Sequence, residues 1–129
     1  MSEHRILVVD DNRDCAASLV ALLELTDRQS AVAYDGIEAV QMAASFRPDV
    51  VLLDIGLPRM NGYDVARQIR DQEWGREMIL VALTGRSQDE DLARSQAAGF
   101  DRHLIKPVDF GMLTNLLTEL LSVPPTESV

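Results

Sequence analysis

One cysteine, Cys15, occurs in 129 residues, so the chain forms no internal disulfide. The two histidines, His4 and His103, stand far apart, and no Cys/His group has the spacing of a zinc site. A reducing compartment is expected. Long apolar runs are missing too: none reaches the roughly 18 residues of a membrane helix. The N-terminal MSEHR leads into ILVV, which two aspartates stop. An export signal needs about 7–15 apolar residues there, so a cytoplasmic location is expected. Cations are scarce, 12 Lys and Arg against 21 Asp and Glu, for a net charge of −9. Nucleic-acid binding draws most of its affinity from cations on phosphates, so direct binding of nucleic acid is not expected. Internal repeats and low-complexity stretches are also lacking.

What remains is an ordinary globular mix, 47% hydrophobic and 26% charged, which argues against a disordered acidic tail. The length suits one domain, expected over residues 4–123, with a short polar tail at 124–129. A chain of this size buries roughly two thirds of its unfolded surface and needs no disulfide or structural metal.

Apolar residues follow two alternating patterns. Continuous aliphatic runs at 6–9, 50–53 and 79–83 predict strands buried on both faces. Weaker runs at 30–34 and 103–105 predict two more. Between them lie helical stripes: Ala16, Leu19, Val20 and Leu23; Ile37, Val40 and Ala44; Val65, Ala66 and Ile69. Phe110, Leu113, Leu116, Leu117, Leu120 and Leu121 form the longest. The helix predicted over 88–98 has Leu92 as its only large apolar residue and should be lightly anchored. Strand and helix alternate five times, which predicts an α/β domain: a doubly wound, five-stranded parallel sheet with helices on both faces.

The polar residues collect where these strands stop. The first ends in Asp10 and Asp11, the third in Asp54, the fourth in Thr84 and the fifth in Lys106. In an open parallel sheet all these ends share one edge, where ligands bind. Three carboxylates there repel one another, and one lysine cannot neutralise them. A hard divalent cation can, and an all-oxygen site favours Mg²⁺, Mn²⁺ or Ca²⁺. Such a site suits a phosphoryl group. Taken singly, each residue has a plainer explanation: Asp11 or Asn12 as a helix cap, Asp54 as a loop aspartate, Thr84 as a turn cap, Lys106 as a surface lysine. Their joint placement at successive strand ends is the specific signal.

The segments VVDDN, VVLLDIGLPRMNGYD, ALTG and HLIKP resemble the receiver domain of two-component response regulators, and the resemblance extends over residues 5–121. It implies a flavodoxin-like (βα)5 fold with strand order 2-1-3-4-5. It implies that Asp54 accepts a phosphoryl group from a phosphohistidine on a histidine kinase or histidine phosphotransfer domain. Asp11, Asp54 and the Gly56 backbone carbonyl would ligate Mg²⁺ or Mn²⁺, with Asp10 holding it through water. Lys106 would pair with phosphoryl oxygens, Thr84 would move to bond one of them, and the bond to Pro107 would be cis. An aromatic ring usually stands three residues before the lysine. Here that position is His103, read either as the switch partner of Thr84 or as a half-exposed strand histidine. Gly56 and Arg86 occupy positions that tune phosphoryl lifetime in the family.

The resemblance makes the chain a signalling module with an unknown output partner, and not an enzyme beyond its own phosphorylation and dephosphorylation. Two architectures fit, a single-domain regulator and a receiver of the hybrid sensor kinase type. The stretch from ALTG through HLIKP and on to NLL resembles the hybrid type. From another class, a Mg²⁺-dependent phosphatase or hydrolase would need an acid–base group just after the nucleophile, where Ile55 and Gly56 stand. A degenerate receiver that binds partners without phosphorylation is the third reading, against which all five motif positions are filled.

Overall fold

The structure, a computed structural model, describes residues 4–26, 28–57, 60–85, 89–106 and 108–121. Five strands form one sheet: β1 (Arg5–Val9), β2 (Gln29–Ala33), β3 (Val50–Asp54), β4 (Ile79–Thr84) and β5 (Arg102–Ile105). The order is β2-β1-β3-β4-β5, with every pairing parallel. Five helices connect and flank them: α1 (Arg13–Glu24), α2 (Gly36–Phe46), α3 (Gly62–Asp71), α4 (Asp89–Ala98) and α5 (Phe110–Leu121). A 3₁₀ turn, Glu73–Gly75, carries Trp74, which packs half-buried against the core. The expected five strands, five helices and strand order are all present.

Side-chain alternation along the strands divides the core between two faces. Ile6, Val8, Leu52 and Leu83 pack with α1 and α5 through Leu19, Leu23, Leu113 and Leu117. Leu7, Val9, Leu53 and Ala82 pack with α2, α3 and the end of α4 through Ala39, Ala43, Val65, Ile69 and Ala98. Burying one large aliphatic side chain is worth about 1.5–3 kcal/mol, so these rows hold the strand register and bring the strand ends to one edge.

Two helical faces differ from expectation. In α2 the buried residues are Gly36, Ala39 and Ala43, while Ile37 is exposed. The helix start lies so close to its neighbours that a Cβ on Gly36 would meet the Met60 carbonyl oxygen at 2.5 Å. Closeness of approach, not side-chain size, chooses that face. In α5, Phe110 at the first turn is exposed, and the fully buried positions are Leu113 and Leu117.

The side chain of Leu92, the expected anchor of the fourth helix, lies outside the described residues; among the side chains of this helix that are described only Ala98 is buried. Its C-terminal end is held by a clamp from α3. Arg70 donates to the Gly99 carbonyl at 3.0 and 2.8 Å, to the Met78 carbonyl, and to Asp101 at 2.9 Å. Gly99 has φ of 106°, which disfavours any side chain there. Gln88, the expected first residue of this helix, Arg86, Pro107 and the tail 124–129 lie outside the described residues.

Candidate functional site

Each residue of the site is placed by a strand end or by the turn that follows it. Asp10 follows β1, and its backbone N–H is bound by the Ala33 carbonyl of β2 at 3.1 Å. The chain then turns into α1. Asn12, not Asp11, caps that helix, accepting from the backbone N–H groups of Asp14 and Cys15. Asp11 is thereby free of capping duty and stays exposed. Asp10 Oδ1 accepts the Asn12 N–H at 2.9 Å, which fixes the carboxylate.

Asp54 closes β3 beside Leu83 of β4. The chain after it loops back, and the Gly62 N–H donates to the Ile55 carbonyl at 2.9 Å. Gly62 is required by this close return: a Cβ there would lie 2.6 Å from the Asp54 carbonyl oxygen and 2.7 Å from the Ile55 Cα. Asn61 caps α3. Lys106 follows β5, its N–H donating to the Thr84 carbonyl at 2.8 Å, so both come to the same edge.

The side chains converge. Carboxylate oxygens of Asp10, Asp11 and Asp54 lie within 4.8 Å of one another. The Lys106 ammonium is 3.2 Å from Asp54 Oδ2 and 3.2 Å from Asp10 Oδ2. Asp54 Oδ1 accepts the Gly56 N–H at 3.0 Å. Asp10 is fully buried, and Asp54 and Thr84 are 8% and 9% exposed. Among the described residues the buried Thr84 hydroxyl has no hydrogen-bond partner, and the close partner of the buried Asp10 Oδ2 is the Lys106 ammonium. Buried polar atoms are rarely left without a partner.

The electrostatics are finely opposed. Burial pushes the Asp54 carboxyl up; the Gly56 N–H and the Lys106 ammonium pull it down, the Asp10 charge pushes it up again, and the net direction is up. For Lys106, burial pulls the pKa down, but the Asp54 and Asp10 carboxylates overcome it and hold the ammonium above the ordinary lysine value. The site thus has a surplus of carboxylates over cations, a buried hydroxyl without a partner among the described residues, and only oxygen donors. It fits a hard divalent cation, with Asp54 facing an open cleft of about 460 Å³.

Asp10, Asp11, Asp54, Thr84 and Lys106 all meet at this edge, with Gly56 beside Asp54. His103 is half-buried on β5 and pairs with Ala82 in the sheet. Strand alternation puts it on the same face as Thr84, yet it does not line the cleft. Sequence reasoning does not single out Arg94 and Tyr63, which do line it. The available signal is modest: an arginine ten residues past Thr84, in a helix otherwise poor in cations.

Comparison with known proteins agrees with this arrangement. The family model for the response regulator receiver domain matches residues 6–118. The response regulator MprA of Mycobacterium ulcerans is 40% identical over 103 residues, 80% of this chain and 44% of that protein. The chain therefore spans less than half the length of the curated relatives it matches. A receiver domain of a sensor histidine kinase from Pseudomonas aeruginosa, with magnesium coordinated in its active-site cleft, is 32% identical with a TM-score of 0.87, covering 95% of this chain and 100% of that one. The signal receiver domain of a histidine kinase from Syntrophus aciditrophicus is 34% identical with a TM-score of 0.85, covering 98% and 96%. With its strand order, its acidic edge and these matches, the chain belongs to the response regulator receiver domain family of two-component systems.

Proposed function

We propose that Asp54 accepts a phosphoryl group from a phosphohistidine of a histidine kinase or histidine phosphotransfer domain, with Mg²⁺ or Mn²⁺ bound, and that the acyl phosphate re-sets a partner-binding surface. The observation that carries this reading is the state of Asp54. One oxygen is held by the Gly56 N–H, the other faces Lys106, and an open cleft lies beside it. An Asp54 oxygen attacks phosphorus, the P–N bond breaks, and the ring nitrogen keeps the bonding pair and takes a proton from water to leave as neutral imidazole. Lys106 stabilises the charge on the transferring oxygens, and Gly56 orients the carboxylate.

Asp11, Asp54 and the Gly56 carbonyl would hold the cation directly, and Asp10 through water. The fit rests on three carboxylates within 4.8 Å of one another that share one lysine ammonium, and on the all-oxygen donor set. When bound, the ion neutralises charge on the phosphoryl oxygens. After transfer the Thr84 hydroxyl donates to the new group; its place on the cleft wall and its lack of a partner among the described residues support this. His103, on the same sheet face, is the side chain to follow the space Thr84 leaves. The domain covers residues 4–123. Both response regulators and kinase receivers are among its relatives, and the motif from ALTG to NLL favours the kinase-receiver lineage. A cytoplasmic location goes with a phosphohistidine donor. Direct nucleic-acid contact does not belong to this reading, because the net charge is −9. Among the described residues no helix is long and apolar enough to cross a membrane.

Incubation with Mg²⁺ and acetyl phosphate, followed by intact mass, tests the proposal. One phosphoryl adduct is expected on the native chain and none on Asp54→Asn. A full-occupancy adduct on the variant would overturn the assignment.

A further inference from the structure

The cleft beside Asp54 has a second cation on its wall. Arg94 of α4 lines it together with Asp54, Thr84 and Lys106. The guanidinium lies over the Tyr63 ring, 4.2 Å from its centroid. Tyr63 is buried and stands edge-on to Phe100 at 6.4 Å, so the ring is a fixed platform. Arg94 is exposed, and among the described residues its guanidinium makes no ion pair or hydrogen bond.

We propose that Arg94 is a phosphoryl-binding residue: on phosphorylation of Asp54 its guanidinium leaves the Tyr63 ring and pairs with the phosphoryl oxygens, tying α4 to the phosphorylation state. The inference rests on the phosphoacceptor reading above. Three carboxylates, one ammonium and a dication leave the site close to neutral. Phosphorylation replaces the single charge of Asp54 with nearly two negative charges. The Thr84 hydroxyl answers with one hydrogen bond but no charge. Arg94 is the one further cation that lines the cleft among the described residues, and its planar fork matches two phosphoryl oxygens. An exposed cation–π contact is a weak hold, whereas a charge-assisted pair with phosphate is a strong one, so the exchange is favourable.

The helix is built to follow. The Arg70 clamp on Gly99 fixes its C-terminal end, and Arg94 sits one turn before the buried Ala98. Arg94 closing over the acyl phosphate also shields it from water and lengthens its life.

Titration of the Mg²⁺-loaded chain with beryllofluoride, read by ¹⁹F NMR, tests this, alongside the decay of the acyl phosphate made from acetyl phosphate. Arg94→Ala should weaken beryllofluoride binding roughly tenfold or more, the loss of a charge-assisted hydrogen-bond pair, and shorten the acyl-phosphate half-life. Arg94→Lys, which keeps the charge but not the fork, should fall between. The melting temperature of the free protein should fall by no more than a few degrees, the loss of one exposed cation–π contact. Native affinity and native half-life in Arg94→Ala would overturn the role of Arg94 while leaving Asp54 as phosphoacceptor. Failure of the native chain itself to take up beryllofluoride or phosphoryl would overturn both readings.

Discussion

Replacing Asp54 by Asn removes one charge from the acidic edge and nearly preserves shape, since the amide oxygen still accepts the Gly56 N–H. Asp54 and Asp10 have oxygens within 4.8 Å, a repulsion of about 3.5 kcal/mol at an effective dielectric of about 20. Asp11 is exposed, and water screens its share to about 1 kcal/mol. Against these stands Lys106 at 3.2 Å, worth about 5 kcal/mol at the same dielectric and roughly half that once its partial exposure is counted. The discounted attraction falls about 2 kcal/mol short of the repulsion, the Gly56 hydrogen bond returns about 1 kcal/mol because it is stronger to a charged carboxylate than to an amide, and burial of the carboxylate, the largest influence on Asp54, fixes the sign. Without metal, Asp54→Asn should therefore be more stable by about 1 kcal/mol near pH 7, a rise in Tm of about 3–5 °C. The gain depends on pH. Because folding raises the Asp54 pKa, the native state binds that proton more tightly than the unfolded chain. The stabilisation is full below the unfolded value of about 3.8 and is lost as pH rises through the folded pKa. The advantage of the variant should thus vanish near pH 3–4 and be full at neutral pH, by the same linkage. Thermal melts of both proteins in EDTA across this range measure it. A variant less stable than the native chain at pH 7 would show that the Lys106 pair outweighs burial and repulsion together.

Mg²⁺ should raise the Tm of the native chain, because a ligand that binds only the folded state stabilises it. Calorimetric melts of Asp11→Ala should show most of that response lost, and an equal response would place the cation elsewhere. Gly62→Ala should cost about 2 kcal/mol or more, since its Cβ would lie 2.6 Å from the Asp54 carbonyl oxygen; urea unfolding with a change below about 0.5 kcal/mol would contradict this close return. Hydrogen exchange on the free and beryllofluoride-bound protein should change within residues 85–104 and little within 16–23. A response in α1 with none in α4 would place the output surface elsewhere.

The fold is legible because buried strands in a parallel sheet are near-continuous aliphatic runs, and 6–9, 50–53 and 79–83 are of that kind. The site is legible because polar residues sit directly behind those runs. Less legible is which helical face turns inward when small residues compete with large ones. In α2 the sheet takes Ala39 and Ala43 and leaves Ile37 exposed, a choice set by the close approach at Gly36, which has no sequence period of its own. The division of labour between Asp11 and Asn12 is likewise decided by geometry, with Asn12 as the cap. Arg94 and Tyr63 meet only because α4 crosses above α3, a tertiary contact between residues 31 positions apart.

Borohydride reduction of the phosphorylated protein tests the central claim most directly. It converts an aspartyl phosphate to homoserine, which peptide sequencing by mass spectrometry locates. Homoserine is expected at position 54 alone, formed only when Mg²⁺ and a phosphodonor are both present. Homoserine at position 10 or 11, or a stable phosphate on His4 or His103 with none at position 54, would contradict it.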